Sequence, residues 1–534
     1  MANAKKYKLN YLSMKLDRTK SILIFSAVIL VFFLVTTRMF ILSVLQYSSI
    51  DARNTFISDT IKKRVSIVDR NGKLIAGDLN TKTLYINSHL LENEDFVARK
   101  LSETLNMDYS HLYRKLMARN RRTRYILIKK HVLPSEELII RELPIASIVF
   151  EDSFLRYYPY DNLFSHIVGY VDLDGRGMLG LEEYYDKYLG DTENQPLRST
   201  LDIRIQSVLR EELRKASELY SPNFIVGIVE EIKTGNIMAM VSLPDFNPNR
   251  LSDIVNTFNH ATYGGYELGS LLKVFTVANG LELNVISANS EFDVTRDINY
   301  GKFVIKDIDS IKYRKRLNTG EVLALSSNIG TVAIARKIGA DRQLGFFEKI
   351  GILEKLEIDI NQVSLPMQPR KWKDINLITI AYGYGIAASP LHILNAMSGI
   401  INDGNMITPR FTYNFKSQKK LKIVSNETSM MIRDFMRLAV TMGTGRLANI
   451  AGYDIGGKTG TARKITSDGY QKGAHVASFF GAFPMDNPQY SIIVVMDRPK
   501  GTAEKNMDAT GGSAATIITK NIILKIIPLL NWQR

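Results

Sequence analysis

A long apolar run near the N-terminus is the first clear pattern in this 534-residue chain. Residues 1–20 are polar and basic, whereas residues 21–45 are apolar apart from Arg38 and a few small polar side chains. A run of this length crosses a bilayer if Arg38 snorkels to the interface, and no small-residue cleavage site follows it. We therefore expect a retained transmembrane helix over residues 21–45, with a cytoplasmic tail before it and the rest of the chain outside the cytoplasm. A buried core helix is the alternative that this pattern leaves.

Alternating and helical periodicities follow over residues 46–220, which we expect to form one domain. Residues 65–76 alternate and turn at an Asn-Gly pair, which predicts a β-hairpin. Helical periodicity appears over residues 91–120, again from Pro134, and over residues 201–216.

The remaining residues, 221–534, are expected to form a second domain built on a sheet. Two strand-like runs, Phe224–Ile232 and Asn236–Ser242, are joined by a Lys-Thr-Gly turn. A further strand opens near Lys458, and we expect Tyr490–Met496 to pair close to it. The apolar C-terminal segment is broken by lysines and a proline, which predicts a helix packed on the sheet and not a second membrane span.

Composition narrows the classes of function. Hydrophobic residues make up 45% and charged residues 23% of the chain, which is normal globular usage and excludes a disordered protein. The net charge of +15 lies largely at the N-terminus and in residues 114–131. Because no nucleic-acid-binding motif accompanies it, we expect no nucleic-acid partner and interpret residues 114–131 as a solvated face. The chain has no cysteine and its seven histidines are scattered, so no metal or cofactor is predicted.

A serine and a lysine three residues apart suggest a nucleophile and its base. Ser270 and Lys273 fall at the predicted start of a helix, Glu267–Lys273, where this spacing places both side chains on one face. Serine needs a nearby base, and lysine can serve when burial and a second cation lower its pKa. The helix N-terminus, which the chain enters through Gly269, favours developing negative charge. The same spacing recurs at Ser417–Lys420, where it is typical of a polar loop.

Two downstream motifs supply the other groups that such a serine requires. Ser326 can relay a proton to a leaving amine, and Asn328 can orient a substrate amide or hold Lys273. Lys458 can act as the second cation and, with the hydroxyl of Thr459, bind a substrate carboxylate. The predicted substrate-binding residues are Asn328, Lys458, Thr459, Gly460 and Thr461.

These motifs together predict acyl transfer through an acyl-serine. The backbone N–H groups of Ser270 and Thr461 are candidates for an oxyanion hole. An earlier Lys-Thr-Gly, at residues 233–235, precedes the serine and is interpreted as a structural turn.

The ordered set of motifs resembles that of penicillin-binding proteins and serine β-lactamases. Over nearly the whole chain the sequence is similar to the class B penicillin-binding proteins, and among them to the division-specific peptidoglycan D,D-transpeptidases. Besides the three motifs, the resemblance is carried by Ser66–Gly72, Arg156–Pro159, Gly177–Glu182, Gly235–Met240, Phe246–Asn249 and Tyr382–Leu391. Asn328 and Tyr384 favour the division type, since the elongation-type relative usually carries Asp and Gln there.

The resemblance implies a fold, an activity and partners. The fold is an α/β (α+β) multi-domain chain: a transmembrane helix, an elongated α+β pedestal of the dimerisation type, and a transpeptidase domain with an antiparallel sheet flanked by helices. The activity attacks the D-Ala-D-Ala end of a stem peptide, releases D-alanine and cross-links the septal wall, and β-lactams acylate the same serine. The implied partners are the cytoplasmic membrane, a SEDS-type glycosyltransferase and other division membrane proteins. Two positions depart from the family pattern: Leu268 replaces the usual proline, and Val65 replaces glycine after Arg64.

Related functions stay open at this point. An elongation-type transpeptidase, a D,D-carboxypeptidase or a serine β-lactamase would use the same motifs. Glu357 and Asn361 have the spacing of the deacylation loop in class A β-lactamases, although a pair on a helix surface is the favoured interpretation. A non-catalytic penicillin-binding scaffold belongs to a different class, but every reacting side chain is present.

Overall fold

The computed structural model describes residues 26, 29–38, 63–118, 124–300, 303–308, 311, 313–466, 469–501 and 509–530. The predicted cytoplasmic tail, much of the predicted transmembrane helix and part of the basic stretch 114–131 lie outside the described residues. Within the predicted transmembrane helix, Ile29–Arg38 is an apolar α-helix whose large side chains are exposed. Among the described residues, Gly511–Leu529 is a helical stretch long and apolar enough to cross a membrane, but half of this apolar stretch is buried inside the protein.

Two compact units divide the chain. The first includes Leu84–Lys129 and Ser135–Phe150, and the second includes Ile61–Thr83, Lys130–Pro134 and Glu151–Arg534.

Three helices of the described chain lie between residues 94 and 141: α1 (Glu94–Leu105), α2 (Tyr109–Met117) and α3 (Pro134–Arg141). The side chain of Asn93 caps α1, and that of Asp108 caps α2, each by accepting a backbone N–H bond. The helices predicted over residues 91–120 and from Pro134 are therefore confirmed.

A five-stranded sheet is built from β1 (Ile67–Val68), β2 (Leu74–Asn87), β3 (Tyr125–Val132), β4 (Ile148–Tyr157) and β5 (Leu197–Arg198). The strand order is β3-β2-β1-β5, and β4 also pairs with β2. β1 and β2 form the predicted hairpin, with Ile67 opposite Ala76. Its turn is held by the Asp69 carboxylate, which accepts the backbone N–H groups of Asn71 and Lys73 at 2.7 and 2.8 Å.

A buried network of charges stands at the position where Val65 departs from the family pattern. Arg64 donates to Glu182 at 2.9 Å and to Asp186 at 2.7 Å. Arg156 donates to Glu182 at 2.7 Å and to Asp78 at 2.9 Å. Because Glu182 is fully buried between two arginines, removing one partner would leave an uncompensated charge in the interior. Arg64 is thus retained in a structural role although the glycine after it is replaced.

Four α-helices in the described part of the second unit precede its central sheet along the chain. The helices are α4 (Ser165–Val168), α5 (Gly180–Tyr184), α6 (Asp186–Leu189) and α7 (Ile203–Tyr220). The last of these confirms the amphipathic helix predicted over residues 201–216.

The second unit is centred on an antiparallel sheet. The strands of this unit from residue 224 onward are β6 (Phe224–Glu231), β7 (Asn236–Leu243), β8 (Glu291–Asp293), β9 (Ile298–Tyr300), β10 (Phe303–Ile305), β11 (Arg316–Asn318), β12 (Asn405–Ile407), β13 (Lys420–Lys422), β14 (Gly456–Thr466), β15 (Gly469–Phe483) and β16 (Tyr490–Asp497). The sheet has the order β14-β15-β16-β6-β7, while β8 to β13 form two-stranded ribbons. The predicted strands from Phe224 and Asn236 are confirmed, and so is the turn at residues 233–235.

The strand predicted at Tyr490–Met496 is present as β16 and lies in the same sheet as β14, one strand away from it. β16 pairs with β15 and β6, and not with β14, because the unpredicted strand β15 lies between them. β15 begins with polar residues and glycines that give little alternating signal on their own. Its pairing with β14, from Gly456 opposite Ala482 to Thr466 opposite Gly469, is a tertiary arrangement.

Eight further helices in the described part of the second unit pack on this sheet or on one another. They are α8 (Lys273–Glu282), α9 (Thr319–Ala324), α10 (Asn328–Ile338), α11 (Ala340–Lys349), α12 (Asp374–Tyr382), α13 (Pro390–Ile401), α14 (Asn426–Thr441) and α15 (Thr516–Ile526). Every residue of α8 from Lys273 to Leu281 is buried, so this helix runs through the core. Ile522 and Ile523 of α15 belong to the same buried cluster as Phe479 and Ile492 of the sheet, which confirms the predicted packing of the C-terminal helix.

Candidate active site

The proposed nucleophile lies in a short 3₁₀ turn and not inside an α-helix. The turn spans Gly269–Leu272 and carries Ser270, and α8 begins only at Lys273. The α-helix therefore begins six residues after Glu267, the start that the sequence predicted. Gly269 has φ +57°, and a Cβ there would lie 2.8 Å from the carbonyl oxygen of Thr461. The glycine thus satisfies both a left-handed backbone and a close approach to β14.

Lys273 is fully buried behind the serine turn. Its Nζ donates to the carbonyl oxygen of Ser326 at 2.5 Å, to Ser326 Oγ at 3.2 Å and to Asn328 Oδ1 at 2.7 Å. Burial lowers the pKa of Lys273 to about 7, while the negative charge of Asp307 opposes this shift. A substantial fraction of the amine is therefore neutral near pH 7, as a general base requires.

Ser326 stands between the two lysines. Its Oγ lies 3.2 Å from Lys273 Nζ and 2.9 Å from Lys458 Nζ. Ser326 adopts φ +61°, a conformation that few non-glycine residues occupy and that is often found at functional sites.

Lys458 is also fully buried, on β14 at the edge of the sheet. Burial first, and repulsion from Lys273 second, hold the pKa of Lys458 well below its usual range. The sequence suggested burial and a second cation as the two causes of a lowered lysine pKa. Burial is the cause that lowers the pKa of Lys273, and both causes lower that of Lys458. Because two positive charges on either side of Ser326 repel each other, the state in which both lysines are charged is disfavoured.

Asp307 is a supporting residue that sequence reasoning missed. Its carboxylate accepts Ser327 Oγ–H at 2.6 Å and the backbone N–H groups of Asn328 and Ile329 at 2.5 and 3.1 Å. The loop that holds Ser326 is therefore tied down at the N-terminus of α10. No motif surrounds Asp307, so only the tertiary structure could show this role.

The third motif lines the other wall of the site. The Thr459 hydroxyl shares a hydrogen bond of 2.7 Å with the Thr444 hydroxyl, another contact that the sequence did not indicate. Thr461 Oγ1 accepts the backbone N–H of Gly511 at 3.2 Å. At Gly460 a Cβ would lie 2.3 Å from the carbonyl oxygen of Leu268, so this glycine lets β14 approach the serine turn.

These walls enclose a cleft of about 740 Å³, called the first cleft below. The predicted site residues that line it are Ser270, Ser326, Asn328, Thr459 and Thr461. Lys273 and Lys458 reach Ser326 from buried positions. The structure thus brings all three motifs together, in an arrangement suited to acyl transfer on a serine.

The other candidate residues lie elsewhere. Residues 233–235 form the turn between β6 and β7, and Ser417 is in a loop before β13. The sequence predicted Glu357 on a helix surface, but the structure places it in a segment without regular secondary structure. Its carboxylate is 64% exposed and pairs with Lys419 at 2.7 Å, and it does not line the first cleft.

Comparisons with known proteins define the class of protein. Residues 60–199 match the penicillin-binding protein dimerisation domain, and residues 225–524 match the penicillin binding protein transpeptidase domain. The chain belongs to the class B penicillin-binding proteins, the family that combines these two domains.

Individual relatives agree with this family. The chain is 31% identical over 488 residues to the probable peptidoglycan D,D-transpeptidase FtsI of Caulobacter vibrioides, covering 88% of this chain and 82% of that protein. It is 27% identical over 520 residues to the stage V sporulation protein D of Bacillus subtilis, covering 88% and 78% respectively. The structure of a peptidoglycan synthetase from Bifidobacterium adolescentis aligns with a TM-score of 0.69 at 20% identity, covering 89% of this chain and 97% of the other. The predicted α/β multi-domain fold is therefore confirmed.

Proposed function

We propose that this protein is a peptidoglycan D,D-transpeptidase of the division type, which cross-links stem peptides through an acyl-serine and binds β-lactams at the same serine. The observation that carries the proposal is the position of Ser326 Oγ, within 3.2 Å of both Lys273 Nζ and Lys458 Nζ in the cleft that Ser270 lines. FtsI-named relatives support the division type.

The side chains suggest the order of proton movements. Neutral Lys273 takes the Ser270 hydroxyl proton as Oγ attacks the penultimate D-alanine carbonyl, and the backbone N–H groups of Ser270 and Thr461 stabilise the oxyanion. Ser326 passes its hydroxyl proton to the nitrogen of the terminal D-alanine as the peptide bond breaks, and it regains a proton from the Lys273 ammonium, which becomes neutral again. An amine of a second stem then attacks the ester, and its proton returns to Ser270. Asn328 holds Lys273 and faces the substrate amide.

The third motif binds the donor's terminal carboxylate in this proposal. A bound carboxylate favours the charged form of Lys458, which then supplies positive potential, and the hydroxyls of Thr459 and Thr461 line the wall where that carboxylate would lie. Gly460 keeps the strand close to the serine turn.

We further propose the domain arrangement and location. Residues 1–20 form a cytoplasmic tail, residues 21–45 a membrane anchor, residues 46–220 a pedestal and residues 221–534 an extracytoplasmic transpeptidase domain. The exposed apolar side chains of Ile29–Arg38 support the anchor. A SEDS-type glycosyltransferase and other division membrane proteins are the proposed partners of the anchor and pedestal.

Labelling with a fluorescent penicillin tests the activity. Wild-type protein should retain a covalent label on Ser270, Ser270→Ala should retain none, and Ser417→Ala should label like the wild type because Ser417 lies in a loop outside the cleft. Undiminished labelling of Ser270→Ala would refute the assignment. Rapid turnover of the label would instead indicate a β-lactamase, and a tagged copy absent from midcell would contradict the division role.

A further inference from the structure

A second cleft, of about 510 Å³, lies beside the serine turn and has no role in the steps described above. Its lining includes Tyr266, Glu267, Met367, Arg463 and Lys464. Arg463 also lines the first cleft, so the two clefts share a wall at this residue. Glu267 precedes Ser270 by three residues. Because Arg463 lines both clefts, a ligand in the second cleft borders the cleft that holds Ser270.

The charges of the second cleft are held in defined positions. Glu267 Oε1 accepts the backbone N–H of Gly385 at 2.6 Å, which fixes the carboxyl group while no hydrogen bond to a described residue engages Oε2. Lys464 is neutralised by Asp497 at 2.7 Å. Arg463 is exposed and forms no ion pair with the acids that the structure describes. One carboxylate oxygen and one guanidinium thus remain to meet a ligand.

This pair of opposite charges complements a group that carries an amine and a carboxylate on one carbon. We propose that the second cleft binds the acyl acceptor, an amine of this zwitterionic amino-acid type, with the ammonium against Glu267 and the carboxylate against Arg463. The proposal rests on the transpeptidase function proposed above, and it specifies the chemical class of the second substrate. The exposed thioether of Met367 and the ring of Tyr266 form apolar walls for the acceptor's carbon atoms.

The reaction balances with these groups. The acceptor ammonium gives one proton to the Glu267 carboxylate and becomes a free amine. Its nitrogen bonds to the acyl carbon, the ester bond to Ser270 Oγ breaks, and the second amine proton goes to that oxygen. Glu267 then releases its proton to water. Burial raises the pKa of Glu267, which makes the carboxylate a better proton acceptor.

A partition assay separates acceptor binding from acylation. The donor is a D-alanyl thioester, whose released thiol reports acylation, and the acceptors are D-alanine, D-alaninamide and hydroxylamine. The measured quantity is the ratio of aminolysis product to hydrolysis product. Glu267→Gln keeps an oxygen that can accept the Gly385 N–H, so it removes the charge with little change of shape.

We expect Glu267→Gln to lower the ratio about tenfold or more for D-alanine and D-alaninamide, because a charge-assisted contact is lost. Hydroxylamine is uncharged at neutral pH, so its ratio should stay within about twofold. Arg463→Gln should abolish the preference for D-alanine over D-alaninamide, which lacks the carboxylate. The matched control variants are Glu354→Gln and Arg336→Gln, because both residues are exposed and line neither cleft. Their ratios of aminolysis to hydrolysis should equal those of the wild type.

The outcomes distinguish this proposal from the proposed function. Normal thiol release with an unchanged D-alanine ratio in Glu267→Gln would overturn the acceptor site and leave the transpeptidase assignment intact. Absence of thiol release in the wild type would overturn that assignment itself. If Glu267→Gln does not fold, two other variants test the site. Glu267→Asp should still lower the ratio of aminolysis to hydrolysis, because its carboxylate lies further from the ligand. Arg463→Gln tests the preference for D-alanine over D-alaninamide independently of Glu267.

Discussion

Adding one methyl group at Gly269 perturbs the serine turn without touching a reacting side chain. In Gly269→Ala, the alanine must adopt a left-handed backbone at φ +57°. Its Cβ would lie 2.8 Å from the carbonyl oxygen of Thr461 and 2.9 Å from the carbonyl carbon. Both contacts are shorter than real Cβ atoms show. The opposing atoms belong to β14, which is paired along its length with β15, so the strand cannot easily move away. The serine turn must therefore shift.

The two effects have different magnitudes. The left-handed conformation costs alanine about 1–2 kcal/mol, and the lower entropy of the unfolded chain offsets about 0.4–1 kcal/mol of that. Relieving the contact needs a shift of a few tenths of an ångström in the turn that carries Ser270. Because a misplacement of about 1 Å can cost about 100-fold in rate, we expect penicillin acylation to slow about tenfold.

The acylation rate constant with a fluorescent penicillin, together with the melting temperature, checks this reasoning. Gly72→Ala isolates the conformational cost, since Gly72 has φ +83° with nothing within 4 Å of the added Cβ. Gly345→Ala, inside α11 with equally open surroundings and no left-handed backbone, should acylate normally and gain about 0.5–1 kcal/mol in stability. Wild-type acylation by Gly269→Ala would refute the claim that this close approach positions the nucleophile.

Three further predictions concern charge. Since burial lowers the pKa of Lys273 to about 7 and the base must be neutral, the acylation rate should rise about tenfold per pH unit below that value, and a flat stopped-flow profile would contradict it. Asp307→Asn removes the charge that raises the pKa of Lys273, so the same profile should move to lower pH, with a lower maximum because the loop loses its anchor. Burial raises the pKa of Glu230 to about 7, although the hydroxyls of Ser398 and Ser491 donate to it. A folded-state pKa above the unfolded value means that stability present at low pH is lost as pH rises through about 7. Glu230→Gln should therefore raise the melting temperature more at about pH 8 than at about pH 5, reflecting at most about 3 kcal/mol, and equal gains at both would refute this.

The sequence predicted many elements because their signals are local. The hairpin at residues 65–76, the strands from Phe224 and Asn236 and the helix from Ile203 each carry a complete periodic pattern. The strand β15 carries no such pattern and was missed. Its neighbours in the sheet decide its conformation, since it pairs along its length with β14 and from Val476 to Phe483 with β16.

The candidate site divides in the same way. Residue types and their order identified Ser270, Lys273, Ser326 and Lys458, because acyl transfer on a serine needs a nucleophile, a base and a proton relay. The spacing predicted an α-helix at Ser270, whereas the structure has a 3₁₀ turn that lies against Thr461 of β14 through Gly269.

The sequence by itself determined the membrane-anchor pattern, the family and the inventory of reacting groups, since these depend on residue identity and local order. Only the tertiary structure decided how those groups work together. It placed Ser326 between two buried lysines and tied its loop to Asp307. It also opened a second cleft between Glu267 and Arg463. The physical reason is that pKa shifts and charge complementarity depend on burial and on distances between residues far apart in the chain.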